Sequence, residues 1–243
     1  MDWHRRFLQQ AAWTRDLRSY LFDNAGLSRA HRVLEVGCGT GAILSGLTIP
    51  AVIHGLDLQH THLTEMRLHA PGAAPVCGDA LALPYSAGVF DITFCHFFLL
   101  WVHDPLRALE EMKRVTHSGG AVLALAEPDH DSRVDKPEEL APLGRWQAEA
   151  LRRQGADPGV GSRLTELFHQ ADIRIIETGT LRAGVEFMQT PEERELEWDV
   201  LEADLAGLVP VQEVARLKLL DFQAWERGER VLSVPTHFAW GKV

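Results

Sequence analysis

Basic residues are scarce in this chain: 24 lysines and arginines stand against 34 aspartates and glutamates, a formal charge of -10 over 243 residues. So acidic a surface repels a phosphate backbone at long range, and nucleic acid is not the expected partner. Cysteine is scarcer still. Cys38, Cys77 and Cys95 lie far apart with no Cys-x-x-Cys pair, which argues against a disulfide framework or a zinc knuckle and for a reducing, cytoplasmic setting. No apolar run approaches bilayer-spanning length, and the opening MDWHRRFLQQAAW lacks the apolar region of a signal peptide. Repeats and low-complexity tracts are absent too. What the chain does have is 46% apolar residues, enough to bury one sizeable core.

The patterning alternates strands with helices. Phe7, Ala11, Leu17 and Leu21 fall at helical spacing in a first amphipathic segment that stops at Gly26. HRVLEVGC reads as a buried strand and GAILSGLTI as the helix after it. AVIHGLDL, a strand ending at Asp57, leads to the helix HTHLTEMRLHA, which Pro71 and Gly72 stop. APVCGDA and VFDITFCHFFLLW supply two more strands, and DPLRALEEMKRVTHSGG a helix with an Asp-Pro start and a Gly-Gly stop. AVLALAEPD, apolar on both faces, fits a central parallel strand. Such alternation implies right-handed crossovers and an α/β fold with a covered parallel sheet. Past Asp129 two helical insertions are expected, at 133–165 and 189–230, around a strand from Ile173 that pairs antiparallel with the closing THFAWGKV.

The stretch VLEVGCGTG, from Val33 to Gly41, carries the chemistry. Glycines between a first strand and a helix let the backbone turn tightly and let a ligand approach main-chain N–H groups. The dinucleotide fingerprint needs Gly-x-Gly-x-x-Gly, but the third glycine here, Gly41, comes one residue early. Glu35, two residues before the loop, disfavours a diphosphate and suits a cation-bearing ligand. S-adenosylmethionine has a sulfonium and an ammonium and no phosphate.

With these residues the chain resembles the class I S-adenosylmethionine-dependent methyltransferases, over Val33 to Ala126 plus the last strand. The motifs LEVGCGTG, GLDL, CGDALALP and FDITFCHFFLLWVHDP are similar in order and spacing to that family's, and within it to the branch of ubiquinone and menaquinone biosynthesis enzymes. The resemblance implies a Rossmann-like, doubly wound seven-strand sheet of order 3-2-1-4-5-7-6 with strand 7 antiparallel. It implies one domain over 1–243, with a helical lid at 1–30 and the two insertions as a cap. It places the methionine portion at Glu35, Gly37, Cys38, Gly39 and Gly41, the ribose hydroxyls at Asp57 beside Leu58, and the adenine amino group at Asp79 beside Ala80. Trp13 is the lid residue expected over the cofactor, unless it is an ordinary core aromatic. His96 follows the fourth strand and is expected at the cofactor site. It is also the candidate base, because histidine titrates near neutral pH, unless a backbone group merely satisfies it.

The function these features imply is methyl transfer to a small organic acceptor, on oxygen, nitrogen or carbon. Rival readings are a tRNA or protein methyltransferase, a noncatalytic binder of the cofactor and a nicotinamide dehydrogenase. No metal site is expected. Glu127, Asp129, His130 and Asp131 crowd one loop with no second cluster, and His60 and His62 read as a solvated helix start. Gly159 to Arg163 could hold an anion at a helix start or simply begin the helix.

Overall fold

The computed structural model describes residues 2–184 and 190–243; Met1 and residues 185–189, with Gln189 at the head of the second expected insertion, lie outside the described residues. Helix α1 (Trp3–Trp13) starts at Asp2, whose Oδ1 accepts from Arg5 N at 3.0 Å. The single N-terminal helix expected from the periodicity is in fact two. Thr14 leaves helical geometry at φ -110, ψ 10, and α2 (Arg15–Ala25) continues to a left-handed Gly26. No propensity signal forces this break; the Thr14 hydroxyl meets Ala11 O, Arg18 and the distant His96 ring described below.

Strand β1 (Arg32–Val36) runs into the glycine loop. No α-helix follows it, contrary to expectation: after a single 3-10 turn at Leu44–Gly46 the chain passes Pro50 to β2 (Val52–Asp57). Gly46 and Pro50 within that short span oppose helix propagation. Then come α3 (His60–His69), β3 (Ala73–Cys77) and β4 (Phe90–Cys95). Helix α4 (Pro105–Val115) has the expected Asp104 cap, accepting from Arg107 N at 2.9 Å. It ends at Val115, so Gly119 and Gly120 lie inside β5 (Thr116–Pro128) instead of forming the stop. The remaining elements are β6 (Val134–Lys136), α5 (Pro142–Arg153), α6 (Leu164–Gln170), β7 (Arg174–Gly184), α7 (Pro191–Leu205), α8 (Val211–Glu226) and β8 (Val231–Lys242).

The sheet runs β3-β2-β1-β4-β5-β8, with β7 on the far edge of β8. Pairs among β1 to β5 are parallel, and β8 is antiparallel to both β5 and β7. This is the expected seven-strand order, with the three-residue β6 as an addition. Ser233 pairs with Val134 on one side and Gly184 on the other, so β6 and β7 flank the start of β8 on opposite edges.

Both faces of the sheet are covered, as parallel strands require. Phe22, Leu63 and Met66 from α2 and α3 pack on Val33, Ile53 and Phe94, while Leu109, Met112 and Phe168 pack on Leu34, Phe90 and Val122. A separate apolar cluster, with Leu143, Trp198, Leu205 and Leu217 in its centre, joins α5, α7 and α8. Beside it lies a buried ionic chain: Arg133 pairs with Asp135 at 2.8 Å, Arg230 with Asp135 at 2.6 Å and with Asp221, and Asp221 accepts from Trp198 Nε1 at 2.9 Å. Each charge there has a hydrogen-bonded partner, the condition under which burial of ions is tolerated. Arg6 of α1 pairs with Glu197 of α7 at 2.7 Å, tying the N-terminal helix to this helical layer.

Candidate functional site

The glycine loop turns at the carboxyl end of β1, where the strand order reverses and ligands of open α/β sheets bind. Gly37 and Cys38 donate their N–H groups to Leu56 O at 2.8 and 3.0 Å, which fixes the loop against β2. Gly37 has φ +74, and a Cβ there would stand 2.0 Å from the Phe98 ring, so only glycine fits. The loop borders a cleft of about 760 Å³ whose walls come from the ends of four strands. Of the residues expected at a cofactor, Glu35, Gly37, Cys38, Gly39 and Asp57 line it, as do Leu58, Asp79, Ala80 and His96.

Two expected residues do not. Gly41 sits behind the loop at φ +80, where a Cβ would meet Met66 at 2.9 Å; it allows α3 to pack close. Trp13 lines a second cavity of about 170 Å³ next to the cleft, between α1, α5, α7 and the start of β8. The rings that border both spaces are Trp3 and Phe7 of α1 with Phe97 and Trp101, along with the amides of Gln10 and Gln154. Their signal, an apolar stripe on α1, was readable as an amphipathic helix but not as the wall of a cavity.

The cleft is acidic. Glu35 is 2% exposed, and its Oε2 is buried without a hydrogen-bond partner. Burial pushes its pKa well above the usual carboxylate range, against the pull of Arg18 and with the push of Asp57. Asp57 is different. Burial acts to raise its pKa, but His62 and the N–H groups of Gln59 and Gly39 outweigh it and hold the carboxyl below its ordinary value. Its Oδ2 accepts from Gly39 N at 2.9 Å and Oδ1 from Gln59 N at 2.8 Å, while His62 Nδ1 stands 3.4 Å from Oδ1 at ion-pair distance. Sequence reasoning placed His62 on a solvated face; its nearness to the end of β2 was the missed clue. Asp79 is exposed and caps the turn after β3, accepting from Leu81 N at 2.9 Å. Burial and the charge of Glu35 raise the Cys38 thiol, which is no nucleophile at neutral pH. No lysine or arginine is found among the described residues lining the cleft.

His96 departs from the expectation of near-neutral titration. Burial, then the Arg18 guanidinium, push its pKa down to about 3. Thr14 Oγ1 lies 2.8 Å from His96 Nε2, accepts from Arg18 Nη1 at 3.0 Å and has Ala11 O within donating reach at 3.4 Å, so the hydroxyl and the neutral ring share one hydrogen bond. This contact accounts for the helix break at Thr14. The loop carrying His96 is itself held by Glu127 at the end of β5, whose Oε1 and Oε2 accept from Phe98 N and Leu99 N at 3.1 and 2.9 Å.

A family model described as a methyltransferase domain matches residues 34–124, from β1 into β5. The phosphatidylethanolamine N-methyltransferase of Cereibacter sphaeroides is 34% identical over 148 residues, which are 54% of this chain and 70% of that protein. The chain belongs to the S-adenosylmethionine-dependent methyltransferases. Another relative of this methyltransferase-family chain is the demethylmenaquinone methyltransferase of Renibacterium salmoninarum, 36% identical over 122 residues, 48% of this chain and 49% of the relative. The match thus spans about half the length of that curated relative. A phosphoethanolamine N-methyltransferase of Haemonchus contortus, solved with S-adenosylhomocysteine, shares the fold at a TM-score of 0.61 and 17% identity, over 94% of this chain and 52% of that one.

Other acidic residues of the methyltransferase-family chain are spent locally. Asp129 accepts from Ser132 Oγ at 2.7 Å and Asp131 pairs with Arg152 at 2.5 Å. Arg163 pairs with Asp157, so its charge is not free for an anion at the 159–163 turn. Among the described residues no helix is long and apolar enough to cross a membrane.

Proposed function

We propose that the cleft binds S-adenosylmethionine and that the chain transfers its methyl group to a small organic acceptor in the adjoining cavity. One observation carries the reading: a carboxyl group, Glu35, buried beside a glycine loop with an oxygen that has no partner, in a cleft with no lysine or arginine among its described lining residues. Such a group suits a cation, and a diphosphate there would meet the carboxyls of Glu35, Asp57 and Asp79 with no lysine or arginine to offset them. The cofactor's ammonium fits that need.

Glu35 then holds the ammonium, and the side-chain-free edges of Gly37 and Gly39 admit the methionine portion. Asp57, ionised and already fixed by two backbone N–H groups, accepts the ribose hydroxyls through its remaining lone pairs. Asp79 reads the adenine amino group. Leu58, 71% exposed at the mouth, offers an apolar face to the base. When bound, the cofactor supplies a methyl group on a sulfonium, a leaving group that needs no acid. The protein's task is alignment and exclusion of water. Trp3 and Phe7 of α1 form the lid between cleft and cavity, and the insertions form the cap that sets acceptor choice. His96, a neutral ring tied to Thr14, orients groups at the junction; its low pKa gives it little drive to take a proton.

Calorimetry with S-adenosylmethionine, S-adenosylhomocysteine and NAD tests the reading. Saturable one-to-one binding of the first two and none of NAD is expected. Binding of NAD without either of the others would overturn it.

A further inference from the structure

The second cavity has a charge pattern that selects among acceptors. It is walled by rings, with Trp3, Phe7, Trp13, Phe97 and Trp101 among them. Arg6 is the guanidinium on its wall, and it is committed: Nη1 donates to Glu197 Oε2 and to Gln9 Oε1, both at 2.7 Å, and the group lies 4.9 Å over the Trp13 ring. Burial opposes ionisation of Glu197, but Arg6 and then Arg133 outweigh it and keep the carboxyl ionised, so this pair is neutral overall. His130, also on the wall, is pushed down to about 4 by burial and Arg133 and carries no charge at neutral pH.

Asp204 is left over. Its Oδ1 accepts from Gln154 Nε2 at 3.0 Å and Oδ2 from Gln147 Nε2 at 3.3 Å, and no cationic side chain pairs with it among the described residues. Gln154 borders both the cavity and the cleft, which puts Asp204 one side chain from the junction where methyl transfer would occur. A carboxylate or phosphate acceptor would meet an uncompensated negative charge there and find the guanidinium already taken. An ammonium would meet a carboxylate and the faces of several rings, the combination that binds organic cations.

We propose that this cavity takes a small amine with an apolar body, anchored by Asp204 and the surrounding rings, and that the transfer is an N-methylation. The proposal rests on the assignment of the cleft to the methyl donor. In the step, the bound ammonium first gives one proton to water, and the lone pair so freed forms the bond to the methyl carbon as the carbon–sulfur bond breaks and its electron pair stays on sulfur. The positive charge passes from sulfur to nitrogen, and the surplus proton on nitrogen then leaves to water. Asp204 and the ring faces stabilise charge where it arrives, in the transition state. For a phenolate or carboxylate acceptor the same carboxylate would oppose binding of the attacking anion.

Three probes of one shape separate the classes: phenethylamine, phenethyl alcohol and hydrocinnamate, titrated into protein saturated with S-adenosylhomocysteine. Phenethylamine is expected to bind at least about tenfold more tightly than the alcohol, as one desolvated cation contact supplies, with hydrocinnamate the weakest. Asp204→Asn should erase the amine's advantage while leaving S-adenosylhomocysteine affinity unchanged. Equal or tighter binding of the alcohol or the carboxylate overturns the proposal, as does binding of none of the three. An amine preference that survives in Asp204→Asn overturns the anchor. Should that variant unfold, the wild-type ranking of the three probes still decides. Failure of S-adenosylhomocysteine itself to bind would remove the donor assignment, and this proposal with it.

Discussion

Asp57→Ala separates two debts that one carboxylate settles. Its oxygens accept from Gly39 N and Gln59 N at 2.9 and 2.8 Å, so the truncation strips acceptors from two backbone donors at the edge of the cleft. Hydrogen bonds to a charged group contribute roughly 1.5 kcal/mol each, and water in the open cleft recovers part of that, which leaves a loss of about 2 kcal/mol. For a domain of this size the melting temperature should fall by about 4–8 °C. If the ribose hydroxyls also bond this carboxylate, two further charge-assisted bonds vanish, worth about 3 kcal/mol or roughly a hundredfold in Kd for S-adenosylmethionine. The sign with pH follows from the depressed pKa: the carboxylate's contribution is present above its unfolded pKa, about 3.9, and is lost as pH falls through the lower folded value. The wild-type protein should therefore lose more stability on acidification than the alanine variant. Thermal unfolding across pH and calorimetric titration measure both halves. A folded Asp57→Ala that binds S-adenosylmethionine within twofold of wild type would refute the ribose assignment.

Glu35→Gln should act in opposite directions on stability and binding. A carboxyl whose folded pKa is raised by burial costs the fold increasingly as pH climbs from the unfolded pKa, about 4.3, toward the folded one. Without ligand, the glutamine variant should therefore gain stability relative to wild type between acidic and neutral pH, yet bind S-adenosylmethionine more weakly; affinity as high as wild type would sink the ammonium assignment. Gly37→Ala puts a Cβ 2.0 Å from Phe98 at φ +74. The left-handed backbone alone costs about 1–2 kcal/mol, so a lower melting temperature and loss of cofactor binding are expected, and unchanged unfolding curves would show that the loop is not held as described.

The alternation of buried strands and amphipathic helices, with short connections between them, was enough to predict a parallel sheet and its covered faces, because periodicity reports which face of each element is apolar. The motif residues Glu35, Asp57 and Asp79 could be picked out in the chain because each sits at the end of a strand, where topology brings strand ends together whatever the details of packing. Other features were not visible there. The helix expected after Gly41 is a single turn, since ten residues interrupted by Gly46 and Pro50 connect the loop to β2. Thr14 breaks the first helix to reach a histidine 82 positions away. His96 reads as a neutral-pH base in sequence and becomes a weakly basic, neutral ring only through burial and Arg18.

By itself, then, the sequence determined the layer architecture and the acidic, glycine-lined cleft, since both follow from local pattern and from residues adjacent along the strands. Tertiary structure alone decided the second cavity. Its wall joins α1, α5, α7 and β8, and its charge depends on which carboxylate a distant guanidinium reaches: Arg6 neutralises Glu197 across 191 positions and leaves Asp204 with amide partners but, among the described residues, no cationic one. Pairing between residues so far apart is set by how helices pack, and a linear pattern of charges does not encode it.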